Sequence, residues 1–393
     1  MSEKKVNRRP SWEKGYRKEI MTFLLSIGVL TYPGMTMLGE GENQMYRRKI
    51  NEMKGEGYIV VRKPKTGKMV TIKNFEENCD AYIPYYKNGY YRHYNRYAKP
   101  LEREAAEQSS KPERIERTKR YSELAALLRK AEIGILFEEK PVLNREGTEI
   151  PQTGSFFYST REIKDVGNFI TRVKANEAGE KIVINSRCLG WVTSEGGDYM
   201  MYHTGKKQMR WNKTGEQLMA ACIKLVRNKK KCLKKTEITE AVLVATDVQI
   251  YVKMVQTENS PVNLLSVNNG MPVMYAIPYS QFGRKLLHCM LQESWKEKMK
   301  MRFLRGADLN TKTSVVSCDG IIDDVKILLF CIPDIVKMKK FLGAARIEGV
   351  PNHYRIYCFD EQKEMVMNIA EGNCEIYETS FSEFYEEFSA MVN

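Results

Sequence analysis

The sequence predicts an α+β chain with a basic N-terminal winged helix-turn-helix, a helical connector and a larger C-terminal α/β domain. Three observations point that way. Apolar residues recur at helical spacing three times before two short β-rich runs within the first eighty residues. A polar, apolar-poor stretch follows at residues 102–111. Beyond residue 154, short apolar runs alternate with helical segments, the pattern of an α/β domain. With 393 residues, 42% hydrophobic and 28% charged, the chain can bury real cores and has room for two or three folding units. The expected boundaries are 1–80, 81–150 and 151–393.

In the N-terminal module, residues 12–27 read as a helix because Tyr16, Ile20, Phe23, Leu24 and Ile27 fall near one face. Thr31-Tyr32-Pro33-Gly34 is expected to break it, and Met35 to Leu38 to form a second short helix before the turn Gly39-Glu40-Gly41-Glu42. Asn43 is the expected N-cap of a third helix to about Glu56, with Tyr46, Ile50 and Met53 as its buried stripe. Gly55 and Gly57 end it. Tyr58 to Arg62 and Met69 to Lys73 then read as strands around a turn at residues 64–68. Three helices followed by a hairpin is the winged helix-turn-helix order.

Residues 74–112 hold seven tyrosines, Tyr82, Tyr85, Tyr86, Tyr90, Tyr91, Tyr94 and Tyr97, among cations. Such interleaving suits nucleic-acid contact, although tyrosines more often pack at a domain or dimer junction, and that reading is favoured. Pro112 opens a predicted helix over 113–131. In the C-terminal domain, strands are expected at 156–158, 181–184, 188–193, 199–202, 240–246, 273–277, 326–331, 354–359 and 374–377. Helices are expected at 161–173, 215–227, 280–291, 335–342 and 380–391. No internal repeat of fixed period is visible. The lysine-rich run 228–235 is read as a solvated loop, and Phe381, Phe384, Tyr385 and Phe388 as the packing face of a terminal helix.

Net charge is +14, and it is concentrated: residues 1–130 carry +12 and the remainder +2. A one-sided surplus points to a polyanionic partner. No run of 18 apolar residues is present and the start lacks the apolar core of a secretory signal, so a cytoplasmic protein without membrane attachment is expected. Nine cysteines include no CxxC pair, which suits reduced, buried thiols. Four scattered histidines make a zinc site an unfavoured reading, and no metal or cofactor is expected.

In a helix-turn-helix the second helix of the motif enters the major groove, where Arg suits guanine and Asn or Gln suits adenine. Gln44, Arg47, Arg48, Asn51 and Lys54 are the candidate contacts, with Lys63, Lys65 and Lys68 at the hairpin tip placed to touch phosphates. Neither a phosphate-binding GxxxxGK[ST] loop nor a histidine cluster beside a nucleophilic tyrosine is present. One acidic constellation, Asp308, Asp319, Asp323, Asp324 and Lys326 leading into an apolar run, is compatible with a Mg²⁺-dependent PD-(D/E)xK nuclease that would use Asp308, Asp324 and Lys326. An ordinary acidic turn is the favoured reading of it.

The chain resembles winged-helix proteins of plasmids and conjugative elements of Gram-positive bacteria, of the replication-relaxation type. The resemblance rests on Tyr46-Arg47-Arg48-Lys49-Ile50, Met53 to Ile59, Arg117 to Leu124, Ser186 to Gly190 and Tyr202 to Trp211. It implies a role in element replication or DNA relaxation with a nuclease-like second half. This chain departs from that pattern in its acid-and-lysine core. The expectation is therefore a non-catalytic, double-stranded DNA-binding accessory or initiator protein of a mobile genetic element, serving plasmid replication, relaxation or conjugative transfer. Other replication or transfer proteins, or a second copy, would be further partners. The alternatives are the nuclease, with Mg²⁺ as cofactor, and a transcription regulator responsive to a ligand or partner.

Overall fold

The computed structural model describes residues 15–62, 69–72, 112–143, 147–164, 166, 186–232, 240–257, 264–309 and 316–392. The tyrosine-rich stretch, the hairpin turn carrying Lys63, Lys65 and Lys68, the expected strand 181–184, most of the expected helix 161–173 and the end of the lysine-rich run lie outside them. The fold is mixed α+β with antiparallel and mixed sheets. It divides into two compact units. The first takes in the described residues up to Lys130 together with Gly134–Lys140, and the second Ala131–Ile133 and everything from Pro141. Among the described residues, no helix is long and apolar enough to cross a membrane.

The first unit runs α1 (Gly15–Ile27), β1 (Leu30–Thr31), α2 (Tyr32–Leu38), α3 (Asn43–Gly55), β2 (Ile59–Arg62), β3 (Met69–Ile72) and α4 (Pro112–Lys130). The three strands form an antiparallel sheet in the order β1-β3-β2, with Leu30 opposite Val70 and Ile59 opposite Ile72. The expected apolar stripes of α1 and α3 are buried: Ile20, Phe23, Leu24 and Ile27 from one, Tyr46, Ile50 and Met53 from the other. Two local expectations are corrected. Thr31-Tyr32-Pro33-Gly34 starts a helix: the Thr31 hydroxyl accepts from Gly34 N at 3.1 Å, and Pro33 occupies the first turn, where its missing N–H costs nothing. Asn43 lies inside α3, and Glu42 takes the N-cap position without a side-chain cap bond.

α3 ends as its glycines require. Gly57 adopts φ +85°, and Tyr58 N and Gly57 N donate to Met53 O (3.0 Å) and Lys54 O (3.2 Å), the paired bonds of a Schellman stop. Helix α4, expected as connector, packs on α2 and β1 as part of the first unit. It does so through Thr31: Ser122 Oγ accepts from Thr31 N at 3.3 Å, and the Thr31 hydroxyl also hydrogen-bonds Glu123. Removal from water pushes the Glu123 carboxyl up to about 7.

The second unit contains β4 (Phe156–Ser159), β5 (Gly190–Ser194), β6 (Gly197–Gly205), α5 (Lys213–Lys229), β7 (Glu240–Ala245), α6 (Gln249–Gln256), β8 (Val273–Pro278), α7 (Gln281–Met290) and α8 (Trp295–Phe303). It continues with β9 (Gly320–Ile322), β10 (Val325–Leu329), α9 (Ile335–Glu348), β11 (Tyr354–Phe359), α10 (Lys363–Ala370), β12 (Glu375–Thr379) and α11 (Phe381–Val392). One element order occurs twice. The hairpin β5-β6, helix, parallel β7, helix, parallel β8, helix is matched by the hairpin β9-β10, helix, parallel β11, helix, parallel β12, helix. The capping chemistry follows the repeat: Asn212 and Asp334 cap the first helices, and Ser280 and Ser380 offer their hydroxyls to the N-termini of the last. The parallel strands β7 and β8 are almost wholly buried, as strands covered on both faces must be.

Two buried carboxylates tie α5 to this sheet. Glu216 accepts from Ser186 Oγ (2.6 Å), Arg187 N (2.6 Å) and Tyr202 OH (2.9 Å). Asp198 accepts from Trp191 Nε1 (2.9 Å) and pairs with Arg227 (3.0 Å). The aromatic face foreseen for the terminal helix is present: Phe381 and Phe384 pack on Phe359 with ring centroids 4.9 and 5.2 Å away, and Phe381 meets Phe282 edge-on at 4.7 Å. The described cysteines are free, and all but the half-buried Cys232 are buried.

Two outcomes test this packing. Glu216→Leu strands three donors in the core and should destabilise the second unit by on the order of 3 kcal/mol, read as a shift in the denaturant midpoint. The raised carboxyl of Glu123 favours folding while protonated, so its contribution is fully present below the ordinary 4.5 and is lost as pH rises through about 7. Glu123→Gln should therefore stabilise the first unit at pH 8 by on the order of 1–3 kcal/mol, with less effect at pH 4.5.

Candidate nucleic-acid interface

The outward face of α3 is set by what its inward face buries. Tyr46, Ile50 and Met53 lie at i, i+4 and i+7, and the opposite side of a 3.6-residue helix carries positions 44, 47, 48, 51 and 54. Tyr46 is the deepest anchor. Its ring lies 5.2 Å from that of Tyr16, and its hydroxyl donates to the Glu19 carboxylate. Burial, followed by that carboxylate, pushes its ionisation upward. Gly39 gives the ring room, since a Cβ there would stand 2.8 Å from it. These contacts fix the rotation of α3, so the identity of the presented side chains follows from the core.

Gln44, Arg47, Arg48, Asn51 and Lys54 are all exposed on that face. Gln44, Arg47, Asn51 and Lys54 form a row at i, i+3, i+7 and i+10, and none of them has an ion-pair or side-chain hydrogen-bond partner among the described residues. Arg48 differs, because its guanidinium lies 3.1 Å from the Glu52 carboxylate one turn on. Lys49 reaches the same carboxylate at 2.9 Å, and Arg17 of α1 reaches it at 2.7 Å while also gripping Glu56. The Arg17 bond above all, then that of Lys49, holds the Glu52 carboxyl down to about 2. The sequence reading did not include Arg17, Glu52 and Glu56. Only the α1–α3 packing brings residues 35 positions apart together, although the 48/52 spacing is visible on a helical wheel.

The acidic constellation is placed as follows. Asp308 is exposed and forms an isolated antiparallel bridge with Ile321, which pairs in turn with Lys326, so Asp308 and Lys326 stand in one lateral row. Asp324 occupies the two-residue β9-β10 turn with Asp323, at φ +63° and +47°, the mirror-image geometry that tight hairpins favour and that Asp tolerates. Lys326 Nζ is bound to Glu348 and to Tyr354 OH (3.2 Å), and this pairing holds the Glu348 carboxyl below its ordinary range. Among the described residues no group of three or more His, Cys, Asp or Glu side chains is placed to hold a metal ion. The acid that pairs with the ammonium of Lys326 thus comes from α9, not from its own strand.

No known protein family, curated protein or solved structure matches the chain.

The Glu52 arrangement is open to direct measurement. Its depressed carboxyl stabilises the fold above the ordinary 4.5, and the contribution is lost as pH falls toward 2. A carboxyl-detected NMR titration should place the Glu52 midpoint near 2, and Arg17→Ala should return it toward 4.5.

Proposed function

We propose that this protein is a non-catalytic, double-stranded DNA-binding accessory or initiator protein of a mobile genetic element, and that its winged helix-turn-helix, expected over residues 1–80, uses α3 as recognition helix. The observation that carries this reading is the row Gln44, Arg47, Asn51 and Lys54, exposed and without partners among the described residues on the outer face of a helix anchored by its opposite side. Cations and amides left unpaired on a rigid helix suit phosphates and base edges, and Arg and Asn in particular make bidentate contacts to guanine and adenine. The order helix, strand, helix, helix, hairpin, with a β1-β3-β2 antiparallel sheet, supports the docking geometry, in which the second helix of the motif enters the major groove. The +12 surplus in residues 1–130 would draw the module toward a polyanion. Assignment to a mobile element rests on the sequence resemblance, and copies of the chain or other replication or transfer proteins would be its partners.

The test is the affinity of the full chain for random duplex DNA across a salt series, beside an Arg47→Ala/Lys54→Ala variant. Binding should weaken steeply with salt, and the variant should flatten the logarithmic slope by about 0.9 for each phosphate that it no longer neutralises. Absence of binding at low salt would overturn the proposal.

A further inference from the structure

We infer that Glu52 is a built-in counter-ion that withholds Arg48 and Lys49 from DNA phosphates and so suppresses non-specific binding by the α3 face. The inference rests on the reading of α3 as a DNA-contacting helix. It starts from the asymmetry of that face. Arg47 and Lys54 have no partners among the described residues, whereas Arg48 and Lys49, on the same helix, converge on one carboxylate at 3.1 and 2.9 Å. The carboxylate cannot simply swing away with them. It is held from the other side by Arg17, whose side chain is 14% exposed and whose guanidinium is itself fastened to Glu56 at 2.7 and 2.9 Å. Two α1–α3 ion pairs therefore pin a negative charge beside a row that must meet phosphate.

The consequence differs between correct and incorrect DNA. Non-specific binding is almost wholly phosphate neutralisation, so each cation tied up internally lowers it. Specific binding also draws on base contacts, which the partner-free Gln44, Arg47 and Asn51 can supply without disturbing the pairs. An unfavourable element aimed at the wrong partner is a common route to specificity. The effect should be modest, since an exposed pair such as Arg48–Glu52 restrains its cation by roughly a factor of two to five.

The experiment measures the full chain binding a random duplex by fluorescence anisotropy across a salt series. The variants are Glu52→Gln, Glu52→Asp, Glu56→Gln and Arg48→Ala/Lys49→Ala, the last made in both the wild-type and the Glu52→Gln backgrounds. Glu52→Gln should bind roughly three- to tenfold more tightly at low salt, with a slope steeper by about 1–2. Glu52→Asp keeps the charge but draws the carboxylate back from α3's cations, so it should steepen the slope in the same direction, which a simple field effect would not do. Glu56→Gln removes an equal charge but leaves both α3 cations on Glu52, so it should steepen the slope less than Glu52→Gln does. Arg48→Ala/Lys49→Ala should flatten the slope more in the Glu52→Gln background than in the wild type. Equal flattening in both backgrounds, or an unchanged slope for a folded Glu52→Gln and Glu52→Asp, would overturn the inference. Failure of every protein, wild type included, to bind at low salt would instead overturn the DNA reading beneath it.

Discussion

Burial of Tyr46, Ile50 and Met53 is the constraint on which the first unit depends. A helix has only one rotation that places these three side chains against α1 and the neighbouring sheet, and that rotation turns positions 44, 47, 51 and 54 outward. Tyr46 makes the choice firm, because its hydroxyl has a carboxylate partner in Glu19 and its ring fills a space that Gly39 leaves free. The surface offered to a partner is the by-product of a packing solution. A substitution in the stripe would rotate α3 and so change which side chains it presents, without altering any of those side chains.

The same principle of positions decided from behind governs the charged residues. Arg17 belongs to α1 but controls α3, since it fixes Glu52 on the last turn of that helix and Glu56 at its C-cap. Four cations that look equivalent along the sequence therefore divide into two classes: Arg47 and Lys54, without partners among the described residues, and Arg48 and Lys49, restrained by Glu52. Removal of one carboxylate would merge them. The exposed Arg48–Glu52 pair adds little to stability, and its effect is on which charges remain open.

In the second unit the governing requirement is satisfaction of polar groups inside a sheet whose central strands are buried on both faces. Glu216 and Asp198 contribute to it by accepting from Trp191 of β5, Tyr202 of β6 and Ser186 and Arg187 in the chain entering β5. The repeated hairpin-and-crossover order gives each half the same problem at its helix starts, and Asn212, Asp334, Ser280 and Ser380 solve it with short polar side chains. Asp324 belongs to this structural class as well: its backbone angles are those of a tight hairpin turn.

Sequence by itself determined the elements whose signal is local. Helical spacing located α1, α3, α5 and the aromatic face of α11, and glycine marked the end of α3, because period and backbone freedom are properties of a few consecutive residues. It also determined which residue types α3 turns outward. Where local signals were short, weak or ambiguous, the sequence reading erred: β1 has two residues, α6 and α10 have eight residues each, α8 has little periodicity to show, and Thr31-Tyr32-Pro33-Gly34 reads equally well as a stop or a start. Only tertiary structure decided that α4 belongs to the first unit, that one element order occurs twice without a visible sequence period, and that Arg17 selects Glu52 as partner for two neighbouring cations. Each of these depends on residues far apart in the chain meeting, and such meetings are chosen by the summed burial of whole elements, which no local window contains.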